Sequence, residues 1–505
     1  MARRCCCRRP RRSGLLEPGN GAVRGDSAVK EAIDILKLAF PIFITSVSFT
    51  AMKVTDTALL GHTGTRYLTA VSLSDLWTSS TGVFIQSRAS GTFCSQAYGA
   101  GNKRLVGIWL QVAYAVLFTV CVFVAITWAL TGVVLRALGK SGELSGDAAY
   151  FATVLMVCLP VRIGFSQLST FFSSQKILRP GVVCATFGMV FNLVFGLIFV
   201  LGIPVPGWHG FGFWACPWIT TAMEYAQLAI LLYVFCHVKQ LHKECWPGWS
   251  REHITRDRVR TFIGQYLPGS LSLGSDFWRV AVIGAVADSL GDINVAVWSA
   301  SYRICWISLT FLGSIARAMS IKLGQDLGAG RAADAQRVTA IGLTLAVAVL
   351  GVLALVVISV PRLCGSIFSN DPEVLDLFEE VRFPLAAFLA LMNLGTMMEQ
   401  IPVAMGLTTS VFYAGLLGSW VGQVPCVLLC TKFWRNDLVG LYSGVAAGYG
   451  LLAVLLGGLI STIDWAQMAE DARVRSEVAT LPQMVSLSRT PVGEKGQDGE
   501  SEEAA

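Results

Sequence analysis

Charge is scarce in this chain. Of its 505 residues, 14% are charged, against roughly 25% in an ordinary soluble domain. Histidine is scarcer, with five copies, and His237, His242 and His253 fall within one short stretch. No Ser-His-Asp set, HExxH run, Walker loop or haem motif occurs, so a hydrolytic or buried metal centre has little to be built from. The 14 cysteines are scattered, with no CxxC or His-linked zinc spacing. Most read as small apolar packing residues rather than disulfides or ligands. An enzyme, a resident cofactor, a bound metal and a nucleic-acid partner are therefore not expected.

Apolar residues make up 54% of the chain, and many stretches reach the roughly 18–20 residues that a helix needs to cross a hydrocarbon core. A barrel would show short alternating segments instead, and lipid tolerates no unpaired backbone. The fold class expected is all-α and membrane-integral. Twelve spans are read at 32–61, 68–92, 106–135, 149–174, 181–202, 212–237, 264–287, 294–320, 336–361, 381–405, 410–431 and 439–461.

Two stretches organise these spans. CSQAYGAGN, from Cys94 to Asn102, has an imperfect echo in KLGQDLGAGR, from Lys322 to Arg331. Gln96 matches Gln325 and Gly99 matches Gly328, both at an offset of 229. Such internal repetition marks a duplicated bundle, here two pseudo-symmetric six-helix halves, and membrane proteins built this way are often transporters. The halves are expected at 30–237 and 264–461, joined by a basic linker at 238–263. The two Gly-Ala-Gly turns suit tight backbone turns and close helix approach.

Residues 1–29 are polar and Arg-rich around Cys5, Cys6 and Cys7, with no apolar core for a secretory signal. They read as a basic cytosolic tail, with acylation of the cysteines or an organelle transit peptide as alternatives. Basic residues gather on the side reached after an even number of spans, which places both termini in the cytosol. Residues 462–505 are expected to be a disordered tail after a short amphipathic start.

Carboxylates inside spans are costly, on the order of 2.5–3.5 kcal/mol, so each is a candidate for function. Asp56 in KVTDTALLG has Lys53 one turn before it, and either a neutralising pair or ion coupling would account for both. Asp276 in LGSDFWRV precedes Phe277 and Trp278, a setting that suits a cationic, partly apolar ligand; Arg279 could instead neutralise it. Glu399 stands near Pro402 in span ten, where a bend is permitted. Asn192, Gln96 and Gln325 are uncharged and serve either as interhelical glue or as ligand contacts. Arg162 and Glu224 are intramembrane without an evident partner.

The run CSQAYGAGNKR after span two resembles the signature of multidrug and toxic compound extrusion transporters, particularly eukaryotic ones. KLGQDLGAG resembles its second-half repeat, and Asp56, QKILRP from Gln175, Asn192 and the acid–aromatic–aromatic run at Asp276 agree with it. The resemblance covers about residues 30–461. It implies two six-helix lobes around a central cavity and an antiporter exporting organic cations, xenobiotics or metabolites by alternating access. Protons, or alternatively Na⁺, would drive the exchange. Single scattered carboxylates favour protons over a multidentate sodium site. Asp56 and Asn192 would form the N-lobe coupling site and Asp276 the C-lobe acid, with Glu399 a further coupling candidate. Phe277, Trp278 and Gln96 join Asp276 as candidate substrate contacts. The chain departs from the family pattern at Gly196, at Ala281, at the register of Glu399 and at Lys53. A monomer in the plasma or vacuolar membrane is expected. The alternatives are a flippase for lipid-linked headgroups, which Arg162, Arg279 and Arg303 would suit, and a non-transporting receptor.

Overall fold

The structure, a computed structural model, describes residues 21–478 apart from 205 and 370. The cysteine triplet and the last part of the C-terminal tail lie outside the described residues. Among the described residues there are helices and turns but no strands. Twelve spans are traversed. Span one is Gly21–Gly61, and span two runs through Thr65–Gly82, Val83–Ile85 and Ala89–Gly99. Lys103–Ala129 forms span three, Gly142–Met156 with Leu159–Ser174 span four, Arg179–Leu201 span five and Gly212–Val238 span six. The second half repeats the plan with Arg256–Asp288, Asp292–Gly328, Ala332–Ser359, Pro372–Glu380 with Arg382–Met405, Thr408–Trp434 and Leu438–Thr462 as spans seven to twelve. Span seven begins at Arg256, inside the stretch read from sequence as linker, because Thr255 caps it by accepting the Arg258 N–H.

The duplication is visible in the bends. Span four breaks by 49° and span ten by 66°, and their first residues, Gly142 and Pro372, are 230 apart. Eight helices are long and apolar enough to cross a membrane unaided, ten if each bent pair counts as one span. Spans two and seven are the exceptions, and both carry polar residues towards the junction of the halves.

Each half has its own apolar core, and the two cores exchange one helix segment. Ile35, Ala39 and Ile42 of span one pack into the core of the second half. Phe262 and Tyr266 of span seven pack into the core of the first. These segments begin their spans on the face that carries both termini, so the halves are braced against each other at that end. Further along span one, Val47 and Val54 are exposed, as apolar side chains of a membrane-crossing helix can be.

The brace is completed by the two Gly-Ala-Gly stretches. Gln96 donates from Nε2 to the Ala404 carbonyl at 2.8 Å, and Gln325 donates to the Ser174 carbonyl at 2.7 Å. Thr92 donates to the Val403 carbonyl at 3.0 Å. A Cβ on Gly99 would lie 2.0 Å from the Gln325 carbonyl oxygen, and one on Gly328 2.0 Å from that of Gln96. Only glycine admits two backbones at that distance. The helix Trp465–Val478 then lies across this face: Asn102 donates to the Ser476 carbonyl at 2.9 Å, and Arg475 to that of Met405 at 3.0 Å. The start of the C-terminal tail is thus ordered by contacts with both halves.

Candidate ion and substrate site

Asp56 sits five residues before the end of span one. Its Oδ1 accepts from Asn192 Nδ2 of span five at 3.0 Å, and its Oδ2 from the Thr220 hydroxyl of span six at 2.9 Å. Asn192 is fully buried, and its own Oδ1 has no partner. Thr220 also reaches the Cys216 carbonyl at 3.2 Å, so its single proton can turn to either acceptor. Lys53 is exposed and makes no ion pair with Asp56. Of the two sequence alternatives for this pair, internal neutralisation is not what the geometry displays.

This pocket leans acidic. Asp75 of span two and Glu224 of span six act electrostatically on Asp56. Arg162 of span four is the counter-charge, its Nε 3.2 and 3.1 Å from the two Glu224 oxygens and its Nη2 on the same carboxylate. The two unpaired intramembrane charges of the sequence thus find each other. With three carboxylates and one guanidinium the pocket attracts positive charge. An aromatic-walled groove of about 570 Å³ opens nearby, lined by Phe191, Phe195, Trp214 and Trp218. Its apolar walls offer little to an ion.

The second half is arranged differently. Asp276 pairs with Arg279 at 3.2 Å, one turn on. Arg279 is buried and donates to Ser419 Oγ at 2.7 Å and Tyr449 Oη at 2.9 Å, its guanidinium 4.9 Å from the Tyr449 ring centroid. Asp276 keeps 42% of its side chain exposed. Phe277 and Trp278 are also exposed. Glu399 is paired across the halves with Arg88, which stands at the break in span two. Both Glu399 and Arg88 lie within electrostatic reach of Asp276.

The structure therefore joins Asp56 to Asn192, and Asp276 to the neighbourhood of Glu399, but does not merge these into one site. Gln96 is 2% exposed and held in the brace between halves, so in this state its amide meets a backbone carbonyl, the interhelical alternative of the two read from sequence. Thr220, Tyr449 and Ser419 are neutral and carried no signal in the sequence. Arg88 did carry one, as an arginine in the polar interruption QSRASG of an otherwise apolar span. Among the described residues no cluster of metal-binding side chains forms.

Two helical bundles related by an internal repeat, braced at one end and with charged side chains inside their spans, define a membrane carrier of the internally duplicated kind. The MatE signature matches residues 41–198 and again 271–428, and the chain belongs to that family, the multidrug and toxic compound extrusion transporters. The two matches start 230 residues apart, in step with the offset of the repeated motif. Multidrug and toxin extrusion protein 1 of Danio rerio is 25% identical over 456 residues, covering 89% of this chain and 75% of that one. Protein DETOXIFICATION 1 of Arabidopsis thaliana is 25% identical over 483 residues, covering 92% and 97%. The crystal structure of the eukaryotic MATE transporter AtDTX14 superposes with a TM-score of 0.80 at 19% identity, covering 89% of this chain and all of that one. The protein is a multi-pass membrane transporter.

Proposed function

We propose that the protein is an antiporter that exports small organic solutes in exchange for protons, by alternating access, with both termini in the cytosol. The observation that carries this reading is the hydrogen-bond set of Asp56. Ionised, its carboxylate accepts from Asn192 and Thr220. Protonated, it must donate one bond, and the unpartnered Asn192 Oδ1 is an acceptor beside it. A half-turn of the Asn192 amide exchanges Nδ2 for Oδ1 and satisfies the neutral acid, while Thr220 turns to the Cys216 carbonyl. Both protonation states are thus accommodated without breaking the fold, as a proton-coupled carrier needs.

The brace joins the lobes at the face that carries the termini, and release of that contact is the step by which this face would open in the cycle. Asp276 and Glu399 act on the solute side of the cycle, with Phe277 and Trp278 as apolar contacts. The test is uptake of labelled tetraethylammonium into proteoliposomes with an imposed pH gradient, compared with a sodium gradient. Wild-type protein should respond to the pH gradient, and Asp56→Asn should lose the response while keeping its elution profile. A sodium-driven flux indifferent to pH would overturn proton coupling.

A further inference from the structure

The helix Trp465–Val478 follows the last span and takes no part in the coupling scheme. Its residues sort onto two faces. Ala469 and Ala472 are buried in the core of the second half, with Trp465 and Met468 packed against the same core. These positions recur at three- and four-residue spacing, and the two alanines admit a close approach. The other face is charged: Arg473 pairs with Glu470 and with Glu477, each at 2.8 Å and all exposed. The helix is therefore seated on the second half by its apolar stripe.

Its last turn does something different. Span ten ends at Met405, where Gly406 takes a left-handed φ of 89°. The final carbonyls of a helix lack intrahelical partners. Here Thr92 and Gln96 of the first half take those of Val403 and Ala404, and Arg475 takes the next, that of Met405, at 3.0 Å. A Cβ on Gly406 would lie 2.6 Å from Arg475 Nη1, so the guanidinium lies against the turn itself. A cation is also favoured at a helix C-terminus. One residue on, the buried Ser476 offers its carbonyl to Asn102 Nδ2 of the first half at 2.9 Å. Asn102 stands directly after the first Gly-Ala-Gly run, and its Oδ1 caps span three by accepting the Leu105 N–H at 3.1 Å. Adjacent residues of one helix end thus hold the two halves, Arg475 the second and Ser476 the first.

The connection after span six has the corresponding place in the repeat, and it does not straddle. Gln111 of span three donates to the Gly248 carbonyl at 2.8 Å, and a Cβ on Gly107 would lie 2.4 Å from the Cys245 carbonyl oxygen. That segment packs on the half it leaves. Of the two matched segments, the C-terminal helix is the one that reaches across.

We propose that Trp465–Val478 is a latch, carried by the second half and hooked onto Asn102 of the first, which restrains the transport cycle by stabilising the braced state. This inference rests on the alternating-access reading above and adds its regulation. When the face that carries the termini opens, Asn102 moves with the first half and the Ser476 carbonyl with the second. Their bond exists in the braced state only, so it biases the equilibrium towards that state. Arg475 is a positioning residue: it fixes the helix end against span ten so that the Ser476 carbonyl meets Asn102. Anything that lifts this helix end speeds the cycle.

The test uses the full chain, with hydrogen exchange in detergent and tetraethylammonium uptake into proteoliposomes under an imposed pH gradient. Asn102→Asp keeps the cap, since a carboxylate oxygen still accepts the Leu105 N–H, but removes the donor to Ser476. Exchange in peptides covering residues 89–99 and 322–330 should rise roughly fivefold, the scale of one lost hydrogen bond, and the initial uptake rate should rise with it. The peptide covering residues 465–472 should keep its protection, because the apolar stripe is untouched. Arg475→Gln should accelerate exchange both in the helix end and in the brace, and Arg475→Lys, which retains a cationic donor at the end of span ten, should restore part of the protection. If Asn102→Asp does not elute as folded protein, the Arg475 pair decides on the same two readouts. Brace exchange equal to wild type in these variants would overturn the latch. Faster brace exchange with uptake unchanged or slower would overturn its restraint of the cycle. Wild type that moves no tetraethylammonium would count against the transport reading, while brace exchange in Asn102→Asp would still support or overturn the hook.

Discussion

The reciprocal contact between the two Gly-Ala-Gly helices makes a sharp prediction for Gly99→Ala. The added methyl would sit 2.0 Å from the Gln325 carbonyl oxygen, where real Cβ atoms keep at least 3.0 Å. The obstacle is backbone, so the helices must separate by about 1 Å. That displacement stretches the 2.8 and 2.7 Å bonds of Gln96 and Gln325 beyond useful range. Overpacking costs about 1–3 kcal/mol, and each lost bond about 0.5–1.5 kcal/mol. Alanine returns up to about 1 kcal/mol through helix propensity. The net, about 1–5 kcal/mol, falls on the braced state alone, because the contact disappears once the lobes part at this end. A mid-range value of about 3 kcal/mol shifts the balance between the two states by more than a hundredfold. Hydrogen exchange in peptides covering residues 89–99 and 322–330 should therefore accelerate strongly, with Gly328→Ala behaving alike. Gly146→Ala, where a Cβ meets nothing within 4 Å, serves as the helical control. Unchanged protection in Gly99→Ala would refute the view that this crossing holds the lobes together.

Three further outcomes follow from the same geometry. Glu224→Gln leaves Arg162 without its counter-charge and should cost about 1–3 kcal/mol, less than for a fully buried pair because Arg162 keeps 36% exposure; thermal unfolding in detergent measures it, and an unchanged midpoint would contradict it. His253, in the connection between the halves, is buried with its Nδ1 3.1 Å from Gln111 Oε1, and burial together with Arg104 and Arg258 holds its pKa below the ordinary value. The unfolded connection therefore binds a proton that the folded one resists, so its packing should loosen as pH falls below about 6.5, read as faster hydrogen exchange that His253→Gln abolishes. Asp276→Asn should stop solute flux while leaving the Arg279 bonds to Ser419 and Tyr449 and the elution profile intact; normal flux would remove Asp276 from the cycle.

How much of this was legible in the sequence depended on whether the signal was periodic or relational. Span positions follow from apolar run length, and the offset between Gln96 and Gln325 revealed the duplication. The same offset could not tell whether the glutamines face a ligand or a backbone carbonyl. Their role rests on Ala404 and Ser174, residues with no distinguishing chemistry, whose importance lies in a carbonyl at a helix end. Asp56 and Asn192 were recognisable because a polar side chain in an apolar span is rare. Thr220 was not, since threonine in a helix commonly returns its hydroxyl to the preceding turn. The pair Arg162 and Glu224 needed the folding of span four against span six before either charge had a partner.

The mirrored frame also explains why the two lobes need not share one chemistry. Symmetry is required of the parts that move: the brace has to close at one face, and bent spans four and ten, with the crossed starts of spans one and seven, occur as matched pairs. No such requirement falls on the walls. The position matching Asp56 at the offset of 229 is Ala285, and the one matching Asp276 is Val47. Each acid thus appears in one lobe only, and their partners differ: neutral Asn192 and Thr220 hold Asp56, whereas the guanidinium of Arg279 holds Asp276. On the antiport proposed above that division has a use, because rocking needs equivalent hinges whereas discrimination between an ion and its cargo needs unlike pockets. A carrier whose two pockets were identical would bind both with the same preference, and binding one would not bias the lobes differently from binding the other.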